Sequence, residues 1–91
     1  MARLLDDVIF KFIDAKLWRD GRITSTDVCD AFNIGRQKVS ATFTKYKQAN
    51  PNNMTHDVIE RCYVIMDSFQ ASSIKQEDAD EYLKAIYIVF K

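Results

Sequence analysis

Apolar residues recur at helical spacing at both ends of the chain. Over residues 3–19 they return every three or four positions, which predicts an amphipathic helix with one broad apolar face. The pair Asp20-Gly21 is typical of a helix end. Over residues 76–90 the helical period returns, but apolar residues are too numerous for a helix with one solvated side. We expect this C-terminal helix to be either deeply buried or shared with another chain.

Two shorter helices are predicted between these ends, over residues 25–32 and 36–47. Thr24 is a good N-cap for the first one, and Asp27 favours the positive end of its dipole. Asn33 stands at a turn position that usually requires a left-handed backbone, which asparagine tolerates better than most residues. Two helices joined by such a turn predict a helix-turn-helix, the motif that places its second helix in the DNA major groove.

The predicted helix over residues 36–47 has one face for the core and one for DNA. Val39, Phe43 and Tyr46 lie at positions i, i+4 and i+7, so they share the inward face. On the other face we expect basic side chains to contact phosphates or guanine edges, and uncharged polar ones to contact base edges. The predicted DNA-binding residues are Thr24, Arg36, Gln37, Lys38, Ser40, Ala41, Thr44, Lys45 and Lys47. A solvated helix face has a similar composition, but the preceding helix and turn favour DNA contact.

Residues 54–66 fit two different structures. The β-prone residues 62–65 favour two strands of a hairpin. The apolar residues between Val58 and Phe69 also fit a helical period, with Thr55 or Asp57 as the N-cap. Periodicity alone does not choose between the hairpin and the helix.

Charge is unevenly distributed along a chain whose formal net charge is zero. Residues 22–47 carry five basic and two acidic side chains, a net charge of +3. Residues 48–91 carry four basic and seven acidic side chains, a net charge of −3. Positive charge gathered on one element can bind phosphate locally, whereas the neutral total predicts modest affinity for DNA of arbitrary sequence.

The residue types needed for catalysis or metal binding are sparse. His56 is the only histidine, and Cys29 and Cys62 do not form a ligand-like pair. The acidic residues over 77–81 lie together at a helix start, where they suit capping better than acid–base chemistry. We therefore expect no enzymatic activity, no metal and no cofactor.

Length and composition predict a single domain over residues 1–91 that resides in the cytoplasm. Asp6 and Asp7 interrupt the apolar run that a signal peptide would need. No apolar stretch approaches the length of a membrane span. We therefore expect no membrane association.

Apolar residues outside the main stripes of the terminal helices fit either a loosely packed outer flank or the interface of a homodimer. A chain of 91 residues buries a limited fraction of its surface, so a partner subunit is expected. The predicted interface residues are Phe10, Leu17, Tyr82, Ile86, Val89 and Phe90. In such a dimer the two recognition helices would meet half-sites about one helical turn apart on an inverted repeat.

The chain resembles the N-terminal winged helix-turn-helix domain of WYL-domain transcriptional regulators of the phage-defence-associated type. The similar segments are IFKFIDAKLWRDGRIT and DVCDAFNIGRQKVSATFTKYKQANPNNM. Within them, the entry, turn and exit patterns of that family fall on residues 18–23, 30–35 and 46–53. The resemblance implies a β-wing over residues 54–66. It also implies a mainly α fold with a small β-hairpin, a winged helix-turn-helix followed by a C-terminal dimerisation helix.

By this resemblance the function is that of a sequence-specific DNA-binding regulator of transcription, with repression the expected direction. The chain departs from the family at the turn and cap, where Asn33 and Gly35 replace glycine and serine, and at Ala41, where members often have a longer polar residue. Its wing tip, Val58-Ile59, is apolar where a phosphate-contacting wing would be basic. We expect no WYL sensor domain within these residues.

Two other functions remain open from the sequence. One is an architectural or recombination-directing factor, which binds DNA by similar chemistry but bends it or recruits a recombinase. The other is a protein-interaction module on a winged-helix scaffold, favoured by the neutral charge and the apolar residues 58–59.

Overall fold

The computed structural model describes residues 2–71 and 75–89. Within these residues the fold is mainly helical with a small antiparallel sheet, which confirms the predicted class. A 3₁₀ turn over Gln76–Asp78 leads into the last helix. In chain order, the elements are α1 Ala2–Asp20, β1 Arg22–Ile23, α2 Ser25–Phe32, α3 Arg36–Ala49, β2 Met54–Asp57, β3 Cys62–Ile65 and α4 Ala79–Val89.

The three strands form one sheet in the order β1-β3-β2. Residues 54–66 therefore contain a hairpin, and the helical interpretation of their apolar period is wrong. Tyr63 in β3 pairs with His56 of β2 on one side and with Ile23 of β1 on the other. Because β3 finds backbone partners along both edges, sheet pairing prevails over the helical period of its side chains. The third strand, β1, is only two residues long and was not predicted.

The turn after α1 brings the chain to the sheet. Gly21 has a φ of 76°, a left-handed conformation that glycine adopts easily. Its N–H donates to the Leu17 carbonyl at 2.9 Å, and its own carbonyl accepts a hydrogen bond from the Ile65 N–H at 2.9 Å. One residue thus ends α1 and begins the pairing of β1 with β3.

Helix α1 lies at the centre of the core, where it packs against α3, α4 and the sheet. Phe12 of α1 is fully buried. It meets the rings of Phe32 and Tyr87 edge-on, with centroids 5.3 and 6.2 Å away. This aromatic cluster joins α1 to α2 and α4, and each such ring pair adds about 0.5–1.5 kcal/mol beyond its buried area.

A buried polar network fixes the C-terminal part of α3. Tyr46 is fully buried and donates its hydroxyl hydrogen to Asp14 of α1, which is also fully buried. Asn53 donates to the Tyr46 hydroxyl oxygen at 3.1 Å and exchanges two hydrogen bonds with the backbone of Gln70, at 2.9 and 3.0 Å. The network therefore ties α3 to α1 and to the segments on both sides of the hairpin.

The helix-turn-helix has the turn chemistry that the sequence predicted. Thr24 accepts a hydrogen bond from the Asp27 N–H at 3.0 Å, and the Asp27 carboxylate accepts one from the Thr24 N–H at 3.0 Å, so the two form a capping box. Asn33 has φ 55° and ψ 48°, the left-handed conformation expected at this position. Gly35 is the N-cap of α3 and its extended backbone contributes no side-chain cap.

Helix α4 packs along α1, with contacts from Val8 to Arg19. Its regular turns span Ala79–Val89, because Gln76–Asp78 adopts the tighter 3₁₀ geometry. The Tyr82 hydroxyl donates to the Val8 carbonyl at 2.8 Å, and Arg19 reaches Asp80 at 3.4 Å. These two contacts attach the first turn of α4 to α1. The predicted final residue, Phe90, lies outside the described residues.

Candidate nucleic-acid interface

Helix α3 presents a continuous exposed face. Its buried side chains, Val39, Thr42, Phe43 and Tyr46, occupy one side of the helix. Opposite them, the middle of the exposed face is uncharged and polar apart from one alanine. It consists of Gln37, Ser40, Ala41, Thr44 and Gln48. Such side chains suit contact with base edges, and a helix of this width fits the major groove.

Gln48 was not predicted as a site residue, although a signal for it exists. It lies four residues after Thr44 and eleven after Gln37, so helical spacing returns it to the same face. The predicted helix ended at residue 47, whereas α3 continues to Ala49. The predicted boundary therefore excluded a side chain that the structure places on the exposed face.

The flank of this face nearest α1 carries two lysines that share one carboxylate. Lys38 Nζ lies 3.0 Å from Asp6 Oδ1, and Lys45 Nζ lies 2.9 Å from Asp6 Oδ2. The Thr42 hydroxyl donates its hydrogen to the Lys38 carbonyl at 2.9 Å, and its oxygen lies 3.3 Å from Asp6 Oδ1. Burial of the Asp6 carboxyl opposes its ionisation, but the hydrogen bonds from Lys45 and Lys38 outweigh burial and lower its pKa.

The opposite flank faces the sheet. Lys47 Nζ lies 5.6 Å from the centroid of the Tyr63 ring, within range of a cation–π contact. Tyr63 in turn packs on Phe43 of α3, with ring centroids 4.9 Å apart. Arg36 is exposed at the first turn of α3. Basic side chains thus border the uncharged centre of α3 on both sides.

The hydroxyl groups of this region have partly structural roles. Thr44 donates its hydroxyl hydrogen to the Ser40 carbonyl at 3.0 Å, which leaves its oxygen free to accept. Thr24, predicted to contact DNA, uses its side chain in the capping box of α2. Its structural role is therefore to set the start of the helix that precedes the turn.

The tip of the hairpin is apolar and exposed. Val58 is 77% exposed and Ile59 is 90% exposed. The Asp57 carboxylate accepts hydrogen bonds from the N–H groups of Ile59 and Glu60, at 3.0 and 3.1 Å. This turn fixes the backbone beneath the two apolar side chains, so they are held out into solvent.

The structure corrects part of the predicted dimer interface. Leu17 and Ile86 are only 0% and 5% exposed, because both face the core of their own chain. They therefore offer no contact surface to a second copy. Phe10 is half-buried with its ring edge-on to Tyr46, at a centroid distance of 5.3 Å. Tyr82 is likewise half-buried against α1.

The outer face of α4 is nevertheless apolar at its C-terminal end. Val89, a predicted interface residue, is 72% exposed. Ile88, which was not predicted, is 78% exposed. It lies seven residues, about two helical turns, after Glu81, so the two side chains share one face of α4. This face is acidic at its start and apolar at its end.

Two other kinds of feature are absent from residues 2–71 and 75–89. No group of three or more histidine, cysteine, aspartate or glutamate side chains there is placed to hold a metal ion. None of the helices in these ranges is long and apolar enough to cross a membrane.

Comparison with known proteins agrees with this geometry. A family model described as the BrxR transcriptional regulator winged helix-turn-helix domain matches residues 7–87. A protein of Stenotrophomonas maltophilia, named DNA-binding transcriptional repressor CapW, is 32% identical over 75 residues, which cover 82% of this chain and 25% of the relative. A protein of the same name from Pseudomonas aeruginosa is 31% identical over 77 residues, which cover 81% of this chain and 26% of the relative.

The chain therefore spans about a quarter of the length of these curated relatives. The matched range contains α2, α3 and the hairpin, and it confirms the resemblance drawn from the motifs around Trp18, Asn33 and Tyr46. This chain belongs to the family of BrxR transcriptional regulator winged helix-turn-helix domains.

Proposed function

We propose that this protein is a sequence-specific DNA-binding repressor of transcription that acts in the cytoplasm. Helix α3 would lie in the major groove, with its uncharged centre on base edges and its basic flanks on phosphates. The exposed face of α3 carries this proposal, because it combines Gln37, Ser40, Thr44 and Gln48 with lysines on either side. The names of the two relatives support repression as the direction of regulation.

The proposed unit on DNA is a homodimer on an inverted repeat. One α3 helix offers few basic side chains, and the chain as a whole has zero formal net charge, so a single copy would bind weakly. Two copies would place their α3 helices in half-sites separated by about 34–36 Å, one turn of DNA. The exposed apolar end of α4, with Ile88 and Val89, is the surface that we propose for pairing.

The test is a salt-dependent gel shift with fragments from the region upstream of the protein's own coding sequence. The wild type should bind one fragment containing an inverted repeat more tightly than unrelated fragments of the same length. Replacing Lys38 and Lys45 together by alanine should abolish binding while the oligomeric state stays unchanged. The double variant Lys75→Ala with Lys84→Ala removes the same charge outside α3 and should bind as the wild type does. Absence of salt-sensitive binding at low ionic strength would refute the proposal.

A protein-interaction module is the second candidate, and the hairpin tip favours it. Val58 and Ile59 are two adjacent exposed apolar side chains, and the acidic Glu60 beside them would repel phosphates. On this alternative, Val58→Ser with Ile59→Ser would abolish partner binding and leave DNA affinity unchanged. If the same variant weakens DNA binding, the tip belongs to the DNA interface.

A further inference from the structure

Two lysines of α3 converge on the Asp6 carboxylate. Lys38 and Lys45 reach its two oxygens at 3.0 and 2.9 Å. The Asp6 side chain is 12% exposed, whereas those of Lys38 and Lys45 are 33% and 55% exposed. The carboxylate is thus fixed in the protein, and the two ammonium groups lie over it at the surface.

This arrangement has the chemistry of a phosphate contact. Two ammonium groups that approach one anion from the edge of a recognition helix are donors of the kind that hold a DNA phosphate oxygen. Here an internal carboxylate already accepts these hydrogen bonds. A duplex placed against α3 must therefore compete with Asp6 for both lysines.

We propose that Asp6 is a positioning residue that lowers the affinity of α3 for DNA by holding Lys38 and Lys45 on the α1 side of the helix. This inference rests on the proposed function, since it assumes that α3 binds DNA. The lysines contribute to phosphate binding only when they leave Asp6. Asp6 consequently reduces the part of the binding energy that does not depend on sequence.

The variant Asp6→Asn tests this effect of the carboxylate. Asparagine keeps the size of the side chain and removes its charge. Binding to a short fluorescent duplex of arbitrary sequence should tighten roughly three- to tenfold at low salt. The reason is that the loss of one ion pair of this exposure changes an equilibrium constant by a factor of a few. The plot of log affinity against log salt concentration should steepen by about 1 to 2, one for each released lysine.

Asp7→Asn is the matched control. Asp7 is the next residue of α1, is exposed, and makes no ion pair within the described residues. It loses the same charge, so its variant should shift the affinity less than about twofold and leave the salt slope unchanged. Asp6→Glu retains the charge and should restore the wild-type slope. A merely structural role of Asp6 would lower the melting temperature of Asp6→Asn without steepening the slope.

The outcomes separate this inference from the proposed function. If the wild type binds no duplex at low salt, the proposed function fails. If the wild type binds DNA but Asp6→Asn behaves as Asp7→Asn does, or binds more weakly, only the role of Asp6 is refuted.

A measurement on the wild type serves if Asp6→Asn does not fold. In the free protein, NMR couplings across hydrogen bonds should connect Nζ of Lys38 and Lys45 to the Asp6 carboxyl carbon. On DNA they should be replaced by couplings to phosphorus. Unchanged couplings to Asp6 in the complex would overturn the proposal.

Discussion

Two aspartates of α1 show how partner residues determine the role of a side chain. Asp14 is fully buried and accepts the hydrogen bond of the Tyr46 hydroxyl, so it belongs to the core. Asp6 lies eight residues earlier on the same helix, close to the same face, but its partners are surface lysines. The first aspartate stabilises the fold, and we propose that the second adjusts the charge available on the exposed face of α3.

Removal of the Tyr46 hydroxyl should destabilise the protein. Tyr46→Phe takes one donor from Asp14 and one acceptor from Asn53, all within buried surroundings. The free energy of unfolding should fall by about 1–3 kcal/mol, as measured by urea denaturation. Tyr63→Phe is the control, because the Tyr63 hydroxyl makes no hydrogen bond within the part of the chain that the structure describes, and it should change stability by less than about 0.5 kcal/mol. Equal effects of the two changes would contradict this role.

Stability should also fall in alkali. Burial, together with the neighbouring Asp14, raises the pKa of Tyr46, and burial raises the pKa of Tyr82 to about 12. In the unfolded chain both phenols lose their protons near pH 10. Above that pH the unfolded state binds fewer protons than the folded state does. The contribution of the two tyrosines to stability is therefore fully present below pH ~10, and it is lost as the pH rises toward their pKa values in the folded state.

Urea denaturation at several pH values checks this dependence. The loss should approach about 1.4 kcal/mol per pH unit for each fully protected tyrosine, and less for the half-buried Tyr82. Tyr46→Phe should have a smaller slope above pH ~10 than the wild type has. If the two proteins lose stability in parallel, groups other than Tyr46, such as Tyr82, are responsible.

At the scale of elements, local hydrogen bonds and turn conformation define the ends of α2, whereas contacts with distant segments set the direction of α3. The Thr24 capping box and the left-handed Asn33 set where α2 begins and ends. The direction of α3 depends on its contacts with α1 and with β3, through Tyr46 and Phe43. A change in the turn should therefore alter stability alone, whereas a change at either contact should alter both stability and the presentation of the exposed face.

The turn can be tested through Asn33, whose side chain is exposed. Asn33→Ala places a residue without a compensating side chain at φ 55° and should destabilise the protein by about 1 kcal/mol. Asn33→Gly should be at least as stable as the wild type, because glycine adopts this conformation without steric conflict. Thermal unfolding by circular dichroism measures both. Equal stability of the alanine and glycine variants would show that backbone strain at residue 33 is unimportant.

At the scale of the whole molecule, the two surfaces that matter for the proposed function lie on different elements. The uncharged and basic face belongs to α3, and the exposed apolar stripe belongs to the end of α4. Both helices pack on α1, which therefore fixes the distance between the DNA-facing surface and the proposed pairing surface. A change in the buried face of α1 would therefore alter this distance in the proposed dimer.

Charge placed on α4 should dissociate the proposed dimer. Ile88→Lys with Val89→Lys introduces two cations on side chains that are 78% and 72% exposed, so folding should change by less than about 0.5 kcal/mol per site. Light scattering after size-exclusion chromatography should show a monomer, and affinity for an inverted repeat should fall. Val58→Lys with Ile59→Lys changes equally exposed residues at the hairpin tip and should leave the dimer intact. A wild type that is monomeric at high concentration would rule out α4 as the pairing surface.

The sequence by itself determined the features that depend on neighbours along the chain. The α2 cap, the turn at Asn33 and the inward face of α3 follow from residues within one or two helical turns, so spacing was sufficient to predict them. Most of the exposed face of α3 was predicted for the same reason. Its last residue, Gln48, was missed because helix ends are set by weak local preferences.

Only the tertiary structure decided the features that join distant segments. Residues 62–65 became a central strand because β1 and β2 supply backbone partners on both sides. Leu17 and Ile86 became core residues because α1 and α4 pack on each other. Asp6 meets Lys38 and Lys45 across 32 and 39 residues of sequence. No periodicity encodes such contacts, since they depend on how the helices pack, and the proposed role of the two lysines at DNA depends on them.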